Sequence, residues 1–159
     1  TYRGKCAEIC GAGHGYMPIV IKAVSMDDYT AWVDGKMLAQ AESKNTSDKV
    51  LTMEELMTKG EKVYKAQCLV CHQANGQGLK GAFPALAGSA VAVEKEQRLG
   101  HLHRIIFGKV LMPAFGEQLS DVDIAAVATY ERNAWGNNTG DIVQAKEVAE
   151  ARKVPNVLE

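Results

Sequence analysis

The apolar positions change period along this chain, and each change marks an element. The run Ile19-Val20-Ile21-Lys22-Ala23-Val24 is rich in β-branched residues, as strands prefer, so residues 1–38 read as β-like. Within them, Asp27 to Met37 predicts a short helix that Ser25 or Asp27 can cap. Residues 39–50 are small, polar and aperiodic, the composition of a linker. From Leu51 the spacing turns helical. Thr52 with Glu55 forms a capping box, and Leu56, Gly60, Val63 and Tyr64 follow at helical intervals as far as Cys68. Gly76 to Gly88 is a Gly- and Pro-rich loop. Val93 to Phe107 predicts a second helix with Leu99, Leu102, Ile105 and Ile106 on its apolar side and Gly108 at its end. Ser120 and Asp123 open a third, running through Ile124, Val127 and Tyr130 to about Trp135. The expected architecture is mainly α: a helical domain over 51–137, preceded by a β fragment over 1–38 and the linker 39–50. The tail, 138–159, has two readings, a turn or two of helix from Asp141 or a mobile end.

Composition narrows the function classes. The 159 residues suit one ordinary domain with an attached fragment. Charge is balanced, 18 Lys and Arg against 19 Asp and Glu, with no basic stripe, which argues against nucleic acid as a partner. No run reaches the roughly 18 apolar residues that cross a bilayer. The chain opens mid-strand at Thr1, so it is expected to be a soluble piece of a longer protein that meets a membrane only through a missing N-terminal part.

The four cysteines fall into two close pairs, Cys6/Cys10 and Cys68/Cys71, a spacing of cofactor chemistry more than of a disulfide framework. Cys68-Leu69-Val70-Cys71-His72 is the C-x-x-C-H pattern of covalent haem c attachment. Two thiols on one short turn add across the haem vinyl groups, and the adjacent imidazole reaches the iron from the same side. A zinc knuckle would need further ligands downstream, and a redox dithiol a βαβ setting; the sequence offers neither. The sixth iron ligand is expected to be Met112, forty residues after His72, in a loop stiffened by Pro113. Met53 and Met57 lie too close to the attachment motif to reach the far haem face. His101 and His103 offer a bis-His alternative but read better as exposed or lightly packed. With both axial positions filled, the domain is a carrier without a catalytic site of its own.

These residues resemble a class I cytochrome c domain over 51–136: a first helix entering C-x-x-C-H, a Met-Pro loop, and a last helix ending Tyr130-Glu131-Arg132-Asn133-Ala134-Trp135-Gly136. The resemblance implies that the first and last helices cross closely, with Gly60 leaving the gap and Tyr130 covering it. It also implies that the Pro84 carbonyl orients His72, that Leu86 packs on the haem face, and that the Trp135 indole either reaches a propionate or simply packs at the helix end.

The first cysteine pair sits in Cys6-Ala7-Glu8-Ile9-Cys10-Gly11-Ala12-Gly13-His14-Gly15-Tyr16-Met17-Pro18. Thiolates, imidazole and thioether at this spacing suit copper, while a Cys6–Cys10 disulfide or two free thiols in a glycine-rich turn stand as the plain alternatives. The string resembles the dinuclear copper (CuA) loop of cytochrome c oxidase subunit II, which implies that residues 1–38 are the C-terminal β fragment of a cupredoxin (CuA) domain. That likeness implies that Cys6 and Cys10 bridge two coppers, that His14 and Met17 bind one each, and that Glu8 gives its backbone carbonyl. The family takes a further histidine and most of its sandwich from earlier strands, which this chain lacks, so native CuA is expected to be absent or incomplete here.

Together the motifs resemble a bacterial oxidase subunit II extended by haem c, on the periplasmic face of the inner membrane. The implied role is electron transfer from an external donor, such as a soluble or membrane cytochrome c or the bc1 complex, through haem c to CuA and on to oxidase subunit I, which reduces oxygen to water. The competing reading is a free-standing, diffusible c-type cytochrome with a non-functional copper motif. Over 51–136 nine basic residues balance nine acidic ones, so donor docking is expected at an apolar rim.

Overall fold

Two reciprocal caps frame the second half of the chain. Thr52 accepts the Glu55 backbone N–H while the Glu55 carboxylate accepts that of Thr52, opening helix α2 (Met53–Val63). Ser120 and Asp123 do the same for α6 (Asp121–Asn133). The computed structural model describes residues 1–7, 18–45 and 50–158, and the chain divides into two compact units, Thr1–Ala39 and Gln40–Glu159. The protein is mainly α with a small β fragment.

In the first unit, β1 (Tyr2–Lys5) and β2 (Pro18–Ile21) pair antiparallel, with Tyr2 opposite Ile21 and Lys5 opposite Pro18. Ser25 accepts the Asp28 N–H and caps α1 (Met26–Asn45). The helix runs eight residues past Met37, through the first part of the stretch read as linker. Ala39, Gln40, Ala41 and Glu42 are good helix formers, and no Gly or Pro stops the backbone before Asn45. Among its described residues the unit has little interior: Tyr2, Ile19, Val20, Ile21, Met26, Tyr29 and Trp32 are all exposed, Trp32 at 60%.

In the second unit, α2 crosses α6 where Gly60 has no side chain. A Cβ there would strike the Ala126 carbonyl and come within 2.6 Å of the Tyr130 Cβ, so the crossing needs glycine. Lys59 bridges to Asp123 across the same contact, at 2.6 Å. A π-helical turn (Tyr64–Cys68) and a one-turn helix α3 (Leu69–His72) follow. The expected helix from Val93 is two helices, α4 (Ala90–Val93) and α5 (Arg98–Phe107). The Glu94-Lys95-Glu96-Gln97 run between them has no apolar residue to bury. The Val93 and Glu94 carbonyls instead accept from the Arg132 guanidinium, at 3.4 and 3.1 Å.

The C-terminal segment packs on the helical unit, and its helix starts at Ala145 rather than at Asp141. Val143 and Val148 are fully buried, the latter in α7 (Ala145–Ala151). The Gln144 amide reaches the start of α2 in both directions, donating to Leu51 O at 2.8 Å and accepting from Leu51 N at 3.0 Å. Arg98 binds Glu147, and Arg132 binds Asp141. The core therefore joins α2, α5, α6 and this strap, with Leu56, Leu102, Ile106, Ile124, Val127 and Val148 at its centre.

Candidate haem-attachment site

Cys68 closes the π-helical turn, and Cys71 and His72 lie in α3, so one continuous helical stretch carries all three. The extra residue of the π turn re-aims the chain, and Gln73, at φ 64°, ends α3. Tyr64 fastens that end: its hydroxyl donates to the Gln73 carbonyl at 2.6 Å. Its ring stacks 4.8 Å from Trp135 and 5.5 Å from Tyr130. Burial, with Glu131 adding, holds the Tyr64 hydroxyl well above its usual pKa, so it stays a donor.

His72 is buried, and its Nδ1 sits 2.9 Å from the Pro84 carbonyl. A carbonyl only accepts, so Nδ1 carries the proton and the ring's lone pair is at Nε2, free to bind a metal. The Pro84 loop is held close by Gly78, at φ 62°, where a Cβ would come 2.5 Å from Pro84 O. Gly76 O accepts from Leu86 N at 2.7 Å, seating Leu86 half-buried against the core.

Met112 lies in a loop fixed at both ends. Gly108 N donates to Arg104 O, and Phe115 and Gly116 donate to Ile105 O and Ile106 O, each at 3.0 Å. Inside it Lys109 and Met112 pair as an isolated antiparallel bridge. Met112 is half-buried and packs on the core, as do Leu69, Leu86 and Leu99.

The two α5 histidines differ from expectation. His101 and His103 are buried, at 3% and 0% exposure: His101 Nε2 meets Glu131 at 2.7 Å, and His103 meets Ala151 O and Val157 N at 3.0 and 3.1 Å. Their partners lie 30 to 54 residues away, beyond any local pattern. The Trp135 indole donates to Ala74 O at 3.0 Å, which commits it to the protein and favours the packing reading. Glu131 has no counterpart in the sequence reading. It is buried beside Cys68, whose thiol donates to it; burial first, and this carboxylate second, hold that thiol well above its usual pKa. The only local signal was a charged residue on the α6 face that otherwise reads as core.

Of the copper motif, Cys6 follows β1 and is half-buried, while Glu8, Cys10, His14 and Met17 fall outside the described residues. Among the described residues no group of three or more His, Cys, Asp or Glu side chains is placed to hold a metal ion.

Two family models match separate parts of the chain. Residues 55–130 match the family model described as cytochrome c oxidase, cbb3-type, subunit III. Over these residues the chain is similar to c-type cytochrome domains. Residues 1–24 match the periplasmic domain of cytochrome c oxidase subunit II. Cytochrome c oxidase subunit 2 of Alkalihalophilus pseudofirmus is 31% identical over 148 residues, 84% of this chain and 39% of that protein. The cytochrome c subunit of a quinone alcohol dehydrogenase from Gluconobacter oxydans is 30% identical over 130 residues, covering 75% and 27% respectively. Cytochrome c oxidase subunit 2 of Cyanidium caldarium is 65% identical over 37 residues, 23% of this chain and 14% of the relative. The chain spans at most about two fifths of these relatives. Both resemblances read from the residues, to a c-type cytochrome and to a subunit II periplasmic domain, are thus shown, and the first supports electron transfer by a c-type cytochrome with haem c. None of the helices among the described residues is long and apolar enough to cross a membrane.

The side chains of the cytochrome domain fit a covalent haem. Two thiols flank one helical turn, an imidazole has its lone pair on the free nitrogen, and a thioether stands on a pinned loop. Leu69, Leu86, Leu99 and Met112 pack on the core yet stay half-buried, so each keeps apolar surface that a hydrophobic group could cover.

Proposed function

We propose that this chain is the electron-accepting end of a haem-c-extended oxidase subunit II. Cys68 and Cys71 hold haem c through thioether bonds, and His72 and Met112 are its axial ligands. When bound, the haem supplies a one-electron iron couple. Pro84 fixes the His72 tautomer and ring angle, and Leu86 keeps water from the haem face. The domain takes one electron from an external donor, a soluble or membrane cytochrome c or the bc1 complex, and passes it to CuA at the periplasmic face of the inner membrane. From CuA it continues to subunit I, where oxygen becomes water. Cys6, Glu8, Cys10, His14 and Met17 supply ligands to that copper. The tether keeps haem c at a high effective concentration near copper.

The single observation that supports this reading is the presence in one chain of a match to the subunit II periplasmic domain over residues 1–24 and a cytochrome-type match over residues 55–130. It favours the tethered carrier over a free shuttle. The test uses the intact oxidase. Mixing the reduced enzyme with oxygen should reoxidise haem c in step with CuA, and a donor should re-reduce haem c first. Full oxygen consumption with haem c left reduced throughout would exclude this role.

A further inference from the structure

The strap after α6 lies beyond residues 55–130, the part matching the cytochrome family model, yet one of its side chains grips the loop that carries Met112. Arg152, just past α7, directs its whole guanidinium there. Nη1 donates to Gly116 O at 2.8 Å, Nη2 to Leu119 O at 3.2 Å, and Nε to the Asp121 carboxylate at 2.7 Å. These three acceptors lie between the end of the Met112 loop and the first residue of α6. Gly116 is the loop's own anchor, since its N–H donates to Ile106 O. A Cβ at Gly116 would stand 2.8 Å from that Ile106 oxygen and 3.1 Å from Arg152 Nη1, so the loop end is clamped from both sides. Arg152 is in turn held by its backbone, whose N–H donates to Val148 O, below a valine that is fully buried. A planar fork suits this position because it meets two carbonyls and a carboxylate at once, which an ammonium on a flexible stem cannot reproduce.

We infer that Arg152 is a positioning residue for the sixth ligand: by fixing Gly116 and Leu119 it holds the Met112 loop closed and so sets how firmly Met112 stays on the iron. The inference rests on Met112 being that ligand. Other strap contacts serve the fold at large. Arg98 with Glu147 joins α5 to α7, and Gln144 with Leu51 joins the strap to α2, neither touching the Met112 loop. These contacts provide the control.

The experiment measures displacement of the protein's own sixth ligand by imidazole in the ferric, haem-loaded chain. It compares the wild type with Arg152→Gln, Arg152→Lys and Arg98→Gln. Helical circular dichroism confirms that each variant is folded at the temperature used. Both Arg152 variants should bind imidazole about tenfold more tightly, on the scale of one lost hydrogen bond from a charged donor. Their near-red sulfur–iron band should fade at a lower temperature than the helical signal, whereas Arg98→Gln lowers both together and leaves imidazole affinity within about twofold. Wild-type affinity in a folded Arg152→Lys protein overturns the inference and leaves Met112 as ligand. An equal gain in Arg98→Gln also overturns it, because the strap would then act only through global stability. A wild type with no sulfur–iron band removes the ligand assignment itself, and the inference with it.

Discussion

The two units of this chain carry comparable motifs with opposite surroundings. In Thr1–Ala39 the cysteine of the copper string follows a two-stranded ribbon whose apolar residues, Ile19, Val20, Ile21 and Trp32 among them, face solvent. In Gln40–Glu159 the cysteines and histidine of the haem motif stand on helices whose apolar faces are closed by α2, α6 and the strap. A motif supplies ligand atoms; a shell holds them in place. Among the described residues, only the second unit brings a buried shell of its own. A pair of strands is marginal alone, whereas the helical unit buries Leu56, Ile124, Val127, Val143 and Val148 completely.

Substitutions can break that contrast. The largest effect is expected at Gly60→Val. Its side chain would enter the Ala126 backbone, an obstacle that cannot rotate away, and the melting transition of the helical unit should lose about 3 kcal/mol or fail altogether. Asp141→Ala comes next. It leaves the fully buried Arg132 guanidinium without its carboxylate, and calorimetry should show a loss of about 2–3 kcal/mol, somewhat reduced because Asp141 itself touches water. Val148→Ala should cost about 2 kcal/mol, as expected of a strap that belongs to the core. The smallest effect belongs to the other unit: Trp32→Ala removes a large but exposed ring and should change stability by less than about 0.5 kcal/mol.

Acid sharpens the comparison. Burial raises the carboxyls of Asp123 and Asp141, but Lys59 with Ser120, and Arg132 with Arg98, outweigh it and hold both below the usual 3.8. A depressed folded pKa gives stability that is complete above 3.8 and lost as pH falls through the lower folded value. The helical unit should therefore melt progressively lower below about pH 4. Asp141→Asn should flatten that dependence, and an unchanged slope would show that the Arg132 pair is not its source.

Much of the helical unit was legible because its signals are local. Thr52 with Glu55 and Ser120 with Asp123 act three residues apart, within reach of any reading of the sequence. Gly60 and Tyr130 were legible through resemblance. The strap was not: Gln144 answers Leu51, Arg152 answers Gly116, and Glu147 answers Arg98, partners 36 to 93 residues apart. The same distance hid the burial of His101 and His103, since a histidine carries no sign of whether a remote carboxylate or carbonyl will satisfy it. The break between α4 and α5 was written in Glu94 to Gln97, but Arg132, which satisfies the two carbonyls freed there, lies 38 and 39 residues on. Helix α1 ran on because helix-forming residues continued where polarity alone had implied a linker.

The central claim is an iron porphyrin gripped by His72 nitrogen and Met112 sulfur. The near-red absorption of the ferric, purified chain, recorded beside Met112→Ala, tests it most directly. The account predicts a weak sulfur-to-iron band in the wild type that vanishes in the variant. A wild type with a high-spin spectrum and no such band would contradict it.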